Sequence, residues 1–467
     1  MATTAKPTPA AETPAAKAQR IYKRALALHQ AGELTEAIKG YAQALKFTPL
    51  SSDIYNNLGV ALRAIGRPHA ALACYRRSLA ITPGTAGVYT NMGNALADMD
   101  EPLRAVEAHR RAVKHAPKSA KVLFNAGRAF VAVGQTKSGR DHFSQAIALQ
   151  PNYAQARVHH ARALLRLGDW TAGFKELEAR FKLPNQDPRR KDIPMWDGKS
   201  PKDKTILINF EGDEGTLVQY LRFARSLKKA GARVIVECPA HFNALLKASP
   251  DIDDTPNLGA PVTGVDAQIP LLSLPRFLGS QTINIPAPEG YLEIPKSGAQ
   301  TLNIHPEIRL AVGLAWSGDW AGRSKSDPVK PGEVKLDDLT ELFGIPAVQL
   351  VSLELGPGAA DIDRLGLQPL IDQVGPSIMD VADMASMIEQ LDLVICVDSV
   401  AAHLAGAMGK PVWMLCGPDA HWSWLEDRND SPWYASLSLF RKSADHSWSD
   451  IVTTMRQSLM TILKGTA

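Results

Sequence analysis

Residues 391–416 read LDLVICVDSVAAHLAGAMGKPVWMLC. Two apolar runs, LDLVIC and PVWMLC, bracket a segment of Ala and Gly that carries three polar residues, Asp398, Ser399 and His403. Apolar runs of this length, bounded by turn residues and joined by a helix-length connector, describe a strand–helix–strand crossover in a parallel sheet. The pattern places Asp398 and Ser399 where the strand ends and the helix begins.

That position has a chemical consequence. The first turn of a helix presents N–H groups without backbone partners and the positive end of the helix dipole, which together suit a phosphate. The small residues from Ala401 to Gly409 allow a ligand and neighbouring strands to come close. Ser399 is placed to donate to the phosphate, and His403, one turn further on, to reach a ribose or phosphate. The alternative is a plain helix cap by Asp398 or Ser399, worth ~1 kcal/mol.

Working outward, the same alternation fills the C-terminal half. RLAVGLAW (309–316) and VQLVSLEL (348–355) read as strands, followed by helices around 380–390 and 400–408 and a terminal helix around 448–464. Before them, TILINF (205–210) and ARVIVECP (232–239) read as strands flanking a helix, LVQYLRFARSLKKAG (217–231). A Pro-rich stretch runs on to about residue 300. The pattern is two doubly wound α/β halves, 205–300 and 301–467, with a cleft at the carboxyl ends of their strands.

The first third follows another rule. Pro49, Pro83, Pro117 and Pro151 are spaced 34 residues apart, and Gly59, Gly93 and Gly127 keep the same interval. Gly32, Gly66, Gly134 and Gly168 form a third series, with Asp100 in its vacant place. Ala37, Ala71 and Ala105 also recur, as do Tyr41, Tyr75 and Phe143, with His109 replacing the aromatic residue of the third unit. This is the tetratricopeptide period, in which each unit is a pair of helices. Four units span roughly 18–153, a degenerate fifth runs to about 183, and 184–204 is a Pro- and Lys-rich linker. The fold class expected is therefore an α-solenoid superhelix followed by α/β domains.

Solenoids of this kind present a concave face to a peptide or protein. Residues 1–183 carry 26 Lys+Arg against 12 Asp+Glu, a net +14, and the remainder carries −10. A basic array suits an acidic or polar protein segment; an alternative role is joining copies of the chain or spacing. The basic residues are spread without interleaved aromatics, which argues against nucleic acid. No apolar run reaches the ~18 residues that span a bilayer. The first 17 residues, rich in Ala, Pro and Thr, read as a disordered tail without a signal-peptide core. Cys74, Cys238, Cys396 and Cys416 are scattered without metal-ligand spacing and read as buried free thiols of a cytoplasmic protein.

Taken together, these motifs resemble the bacterial tetratricopeptide-repeat glycosyltransferases of GT-B fold, relatives of the O-GlcNAc transferases and heptosyltransferases. The opening segment resembles that family's DLVI-x-VDT-x-x-AHLAGALGKPVW, and WSWLEDRNDSPWYASLSLFRK (422–442) its block ending DSPWYPS-x-RLFRQ. GLAWSGDWAGRSKS (313–326), VSLELG (351–356) and GDWTAGFKELEARF (168–181) resemble three further family motifs. The resemblance implies a GT-B pair of Rossmann-like domains that uses a UDP- or CMP-linked nucleotide sugar as co-substrate and no metal. It implies donor contacts from Trp316, Gly318, Lys325, Glu354, Asp398, Ser399, Val400, Ala401, His403 and Gly406. A cation such as Lys325 near the leaving phosphate would neutralise developing charge. The DID sequences at 251–253 and 361–363 are read as chance matches, in loops, to the metal motif of another glycosyltransferase fold.

The sequence departs from the family on the acceptor side. EGDEGTLVQ (211–219) stands where the family has EQG-x-GD-T-x-Q, so Glu211, Gly215 and Gln219 keep their places and Thr216 takes that of the Asp. Asp213 or Glu214 is then the candidate general base for an acceptor hydroxyl. Glu354 replaces a Gln, setting a carboxylate where phosphate is expected or where a Lys or Arg would pair with it, and Ser423 replaces an Arg. The expected function is transfer of a sugar to a protein Ser or Thr, with flagellin as the acceptor the resemblance suggests. The alternatives are an adaptor with an inactive GT-B part, motivated by the altered loop, and a transferase acting on lipid or polysaccharide.

Overall fold

The computed structural model describes residues 12–184, 189–279, 285, 290–295, 301–318, 334–418, 420–443 and 446–465. The chain divides into two compact units, Met1–Tyr153 and Ala154–Ala467.

The first unit is an α-solenoid of four helix pairs: α1 (Pro14–Gln30) with α2 (Leu34–Leu45), α3 (Ser52–Ala64) with α4 (Pro68–Ile81), α5 (Ala86–Asp98) with α6 (Pro102–His115), and α7 (Ala120–Ala132) with α8 (Thr136–Leu149). The first helix is capped by the Thr13 side chain, so residues 14–17 of the stretch read as a tail are helical. The recurring glycines and aromatics prove to be partners. A Cβ on Gly59 would lie 2.5 Å from the Tyr75 ring, one on Gly93 2.5 Å from His109, and one on Gly127 2.6 Å from Phe143. In these three pairs the first helix thus offers a bare backbone to the large ring of the second. Gly32, Gly66 and Gly134 end three first helices at φ between 72° and 83°, and Asp100 takes the same left-handed place at φ 56°.

The second unit begins with the fifth helix pair, α9 (Ala154–Arg166) and α10 (Trp170–Leu177), which runs into a short 3-10 turn, Glu178–Lys182. Next come β1 (Thr205–Asn209), α11 (Glu214–Tyr220), α12 (Arg222–Lys229), β2 (Arg233–Val236), α13 (Asn243–Lys247), β3 (Ala267–Pro270) and α14 (Leu274–Leu278). The helix expected over 217–231 is two helices meeting at Leu221. Their strands form a parallel sheet in the order β2-β1-β3.

A second sheet follows, built from β4 (Leu310–Ala315), β5 (Val348–Ser352), α15 (Ala360–Leu365), β6 (Asp372–Gln373), α16 (Val381–Glu389), β7 (Leu393–Cys396), α17 (Val400–Ala407), β8 (Val412–Cys416), β9 (Leu437–Arg441) and α18 (Trp448–Gly465). Its order is β6-β5-β4-β7-β8-β9, with every pairing parallel. The strand order reverses between β4 and β7, the place where doubly wound sheets open a crevice. Strands β4 and β7 read as unbroken apolar runs because both faces of the sheet are covered. Residues 361–363 lie in α15, where Asp361 pairs with Arg364, rather than in a loop. In the other DID sequence, Asp251 pairs with Arg225 and Asp253 with Lys228.

The fifth helix pair shares the core of the α/β part. Trp170 stacks on Trp433 at 5.0 Å, and Phe174 meets Trp422 edge-on at 5.6 Å. Trp170 and Phe174, together with the 422–434 segment, thus bury large aromatic area in one cluster. Arg222 of α12, fully buried, donates to the carbonyl of Trp433 at 2.7 Å and lies 4.5 Å over the Tyr291 ring, joining the two sheets. The four cysteines are free thiols, three of them buried. Among the described residues no helix is long and apolar enough to cross a membrane, and no group of three or more His, Cys, Asp or Glu is placed to hold a metal ion.

Candidate functional site

A small cleft opens at the carboxyl ends of β4, β5 and β7, lined by Ser317, Leu353, Glu354, Ser399, Val400 and Ala401. Ser399 is the N-cap of α17, its hydroxyl accepting the Ala402 N–H at 3.4 Å. A strand ending at Cys396 and a helix starting at Val400 leave only three connecting residues, so the turn is tight and the helix end meets the cleft. The cap and the cleft position coexist. Gly318 sits beside this turn, where an added Cβ would lie 3.0 Å from the Asp398 carbonyl. Lys325 lies outside the described residues.

Glu354 does not pair with a Lys or Arg among the described residues. Its carboxylate accepts the backbone N–H groups of Trp316 (3.1 Å) and Ser317 (2.9 Å) and the Ser317 hydroxyl. It is 4% exposed, and burial pushes its carboxyl above the ordinary value against the pull of those donors. The acid therefore holds the turn after β4 and puts negative charge into the cleft wall. Trp316 contributes its backbone there; its ring is buried, and Nε1 has no hydrogen-bond partner among the described residues.

Asp398 and His403 form a network of their own. Asp398 accepts from Trp424 Nε1 at 2.7 Å and lies 3.3 Å from His403 Nε2, while His403 Nδ1 lies 2.8 Å from the Tyr434 hydroxyl. Burial pushes the Asp398 carboxyl up, yet the His403 hydrogen bond, the His403 and His421 charges and the Trp424 donor outweigh it and leave it below the usual range. His403 is 5% exposed, with both nitrogens engaged between the rings of Trp424 and Tyr434. The sequence reading put it against a ribose; the structure makes it a brace. Gly406 is a packing residue, since a Cβ there would lie 2.5 Å from the Tyr434 ring.

On the acceptor side, Asp213 caps α11 by accepting the Thr216 N–H at 2.7 Å, and its residue is exposed. Glu214 lies 2.7 Å from His241 Nε2. Glu211 is engaged by Arg180, whose guanidinium donates to both carboxylate oxygens, at 2.5 and 2.9 Å. Arg180 also donates to Glu178 and to Ser273 Oγ, each at 2.8 Å. Glu211 thereby ties the 3-10 turn of the fifth pair to the β1 loop. Gly215 packs on His403, and Thr216 lies under Gly212, whose φ of 85° lets the loop turn. Gln219 is 1% exposed, with its Nε2 unpartnered among the described residues.

The structure also gathers residues the sequence reading did not single out. His421 occupies the N-cap position of the one-turn helix Trp422–Trp424 and lies 2.7 Å by Nδ1 from Ser423 Oγ; the charges of Asp398 and Asp213 favour its protonated form, and those of Arg162 and His403 oppose it. Its neighbours come from α9, α11 and the β7 turn, so no local motif could announce it. Arg180 was legible only as the Arg of a family motif.

Comparison with known proteins follows the same division. Residues 376–447 match the model described as glycosyltransferase family 9 (heptosyltransferase). Tetratricopeptide-repeat models match residues 25–66, 52–82 and 124–188. These matches support a chain that joins tetratricopeptide repeats to a glycosyltransferase domain. A search of the curated proteins finds no match. Among solved structures, MamA (residues 41 to the end) from Desulfovibrio magneticus RS-1 is 20% identical, covering 36% of this chain and 98% of that one at a TM-score of 0.33. The pilF protein of Pseudomonas aeruginosa is 20% identical, with 37% and 78% coverage and a TM-score of 0.34. YrrB, described as a TPR protein with an unusual peptide-binding site, is 18% identical, with 36% and 87% coverage and a TM-score of 0.31.

Proposed function

We propose that residues 154–467 form a metal-independent glycosyltransferase of GT-B type, which takes a sugar from a UDP- or CMP-linked donor and passes it to a Ser or Thr hydroxyl of a protein held by the tetratricopeptide array. Flagellin is the acceptor that the sequence resemblance suggests, and the free thiols fit a cytoplasmic setting. The observation that carries this reading is the N-terminus of α17 opening on the switch-point cleft, inside the segment that matches glycosyltransferase family 9. Donor phosphate oxygens would take the N–H groups of Val400 and Ala401 and the Ser399 hydroxyl, with the helix dipole and Lys325 opposing the negative charge that builds on the leaving phosphate. Asp213, exposed on the facing loop, is the acceptor-side carboxylate.

The test is calorimetry of the full chain with UDP, CMP, GDP and ADP, repeated with Ser399→Ala and with Ala401→Asp, folding of each variant being checked by circular dichroism. Preference for one base, with Kd on the order of 1 μM to 1 mM and at least tenfold weakening in both variants, supports the donor site. Failure of all four nucleotides to bind would leave the second reading, an adaptor whose α/β part is inactive. One observation favours that reading: the Glu354 carboxylate occupies the cleft wall where donor phosphate is expected.

A further inference from the structure

The turn after β8 is anchored at several points. Arg166 of α9 donates to the carbonyls of Pro418 and Ala420 and lies 3.0 Å from Glu426. Trp422, Ser423 and Trp424 are buried. Among the described residues of this turn His421 is the exposed one, and three residues on Trp424 donates to Asp398, next to the cap of α17. Its ring is oriented by a hydroxyl, Ser423 Oγ, that is itself 1% exposed. When Nδ1–H donates to that oxygen, Nε2 carries the lone pair, and it has no protein partner among the described residues.

The groups around it are already engaged. Asp398 is held by Trp424 and His403, His403 by Asp398 and Tyr434, Glu214 by His241, and Glu211 by Arg180. Asp213 spends one oxygen on its cap. The charged groups facing His421 are Asp398 from the β7 turn, Asp213 from the β1 loop, Arg162 from α9 and His403 from α17. Desolvation of the ring by these neighbours, outweighing the two carboxylates, holds the imidazole below its usual value, which favours the neutral form that can accept a proton.

Building on the proposed glycosyltransferase reading, we infer that His421 is the proton acceptor for the incoming hydroxyl, with Ser423 orienting it and Asp213 and Asp398 stabilising the imidazolium. In the step, the acceptor O–H bond breaks and its proton passes to Nε2. The acceptor oxygen bonds to the anomeric carbon of the nucleotide sugar. The bond from that carbon to the donor phosphate oxygen breaks, and its electron pair leaves on the phosphate. A histidine with its second nitrogen held by a hydrogen bond is a group well suited to general-base work.

Two measurements on the full chain test this. In histidine-detected NMR, with the His421 signal assigned by its loss in His421→Gln, Asp213→Asn should lower the titration midpoint of His421. An unmoved midpoint would show that the two groups do not face each other and would overturn the inference. The second is nucleotide release from UDP-N-acetylglucosamine and CMP-N-acetylneuraminic acid, with water as acceptor, between pH 5 and 9. His421→Gln should reduce turnover about 100-fold, abolish the rise with pH through the His421 midpoint, and leave the Kd for UDP or CMP unchanged. Free imidazole should partly restore His421→Ala. Unchanged turnover and pH profile in His421→Gln would overturn the proposal. So would a Kd that weakens in step with turnover, since that marks a binding residue. If neither donor turns over, the nucleotide titration decides: a His421 signal that shifts with bound UDP or CMP supports the assignment, and a still one overturns it. Nucleotide binding that fails altogether, with the Asp213→Asn shift present, would instead sink the donor-site reading and this chemistry with it.

Discussion

Gly215 of α11 lies directly against the imidazole of His403 in α17, so closely that an added Cβ would stand 2.5 Å from Cδ2. The two helices that follow the β1 loop and the β7 turn therefore meet at a point where only hydrogen fits. Gly215→Ala should force them apart or tilt His403 out of its bonds with Asp398 and Tyr434. Overpacking of this kind costs about 1–3 kcal/mol. Thermal unfolding should show a lowered transition in the variant, and a melting temperature equal to that of the parent would mean that the contact yields freely.

Asp100 adopts φ 56°, where the equivalent places of four other repeats hold glycine. An L-residue pays a steric cost there that glycine avoids, partly offset by glycine's greater freedom when unfolded. Asp100→Gly should stabilise the array by roughly 0.5 kcal/mol, seen as a higher denaturant midpoint with an unchanged slope. Destabilisation would indicate that the Asp side chain contributes more than its backbone costs.

His109 stands where Tyr75 and Phe143 stand in neighbouring repeats. It is 3% exposed, its Nδ1 has no hydrogen-bond partner among the described residues, and burial followed by the Arg128 charge pulls it down to about 4. An unfolded histidine protonates near 6.5, so the unfolded chain binds the proton first, and stability falls as pH drops from about 6.5 to 4. The loss across that window is on the order of 3 kcal/mol. His109→Phe should remove this acid sensitivity and raise stability at neutral pH. Parallel urea titrations at pH 7 and 5 make the comparison, and equal pH slopes in the two proteins would refute it.

Arg180 and Glu211 form a buried, doubly hydrogen-bonded pair, with side chains 4% and 10% exposed. Removing one partner strands the other's charge, which costs about 3 kcal/mol or more. Arg180→Met and Glu211→Gln should each destabilise strongly, and the double variant by less than the sum of the two. Strict additivity in a double-mutant cycle would show that the pair is not coupled.

Much of this architecture is written locally. The 34-residue interval of Pro, Gly and aromatic residues predicts helix pairs, because each glycine must leave room for the ring one helix later. The apolar runs at 309–316, 348–355 and 391–398 predict buried parallel strands for the same local reason. The strands β3, β6 and β9 escaped notice: β6 is only two exposed residues long, and β3 (AQIP) and β9 (LSLFR) interrupt their apolar residues with polar ones. The break at Leu221 was hidden too, since the apolar pattern continues through it.

The candidate site was legible in part. Ser399 at the start of α17 followed from a strand ending three residues earlier. That His403 turns inward did not, because its partners Trp424 and Tyr434 lie 21 and 31 residues on and meet it only through tertiary packing. Glu354 looked like a lone acid near a phosphate until the amides of Trp316 and Ser317 were seen to hold it.

The sequence by itself determined the kinds of element and their succession, since periodicity, turn residues and capping act between neighbours along the chain. Only the tertiary structure decided which polar groups are consumed and which remain available. Hydrogen bonds such as Arg180 to Glu211, or Trp424 to Asp398, join residues 31 and 26 positions apart, and the burial that sets their charge is a property of the whole packed unit.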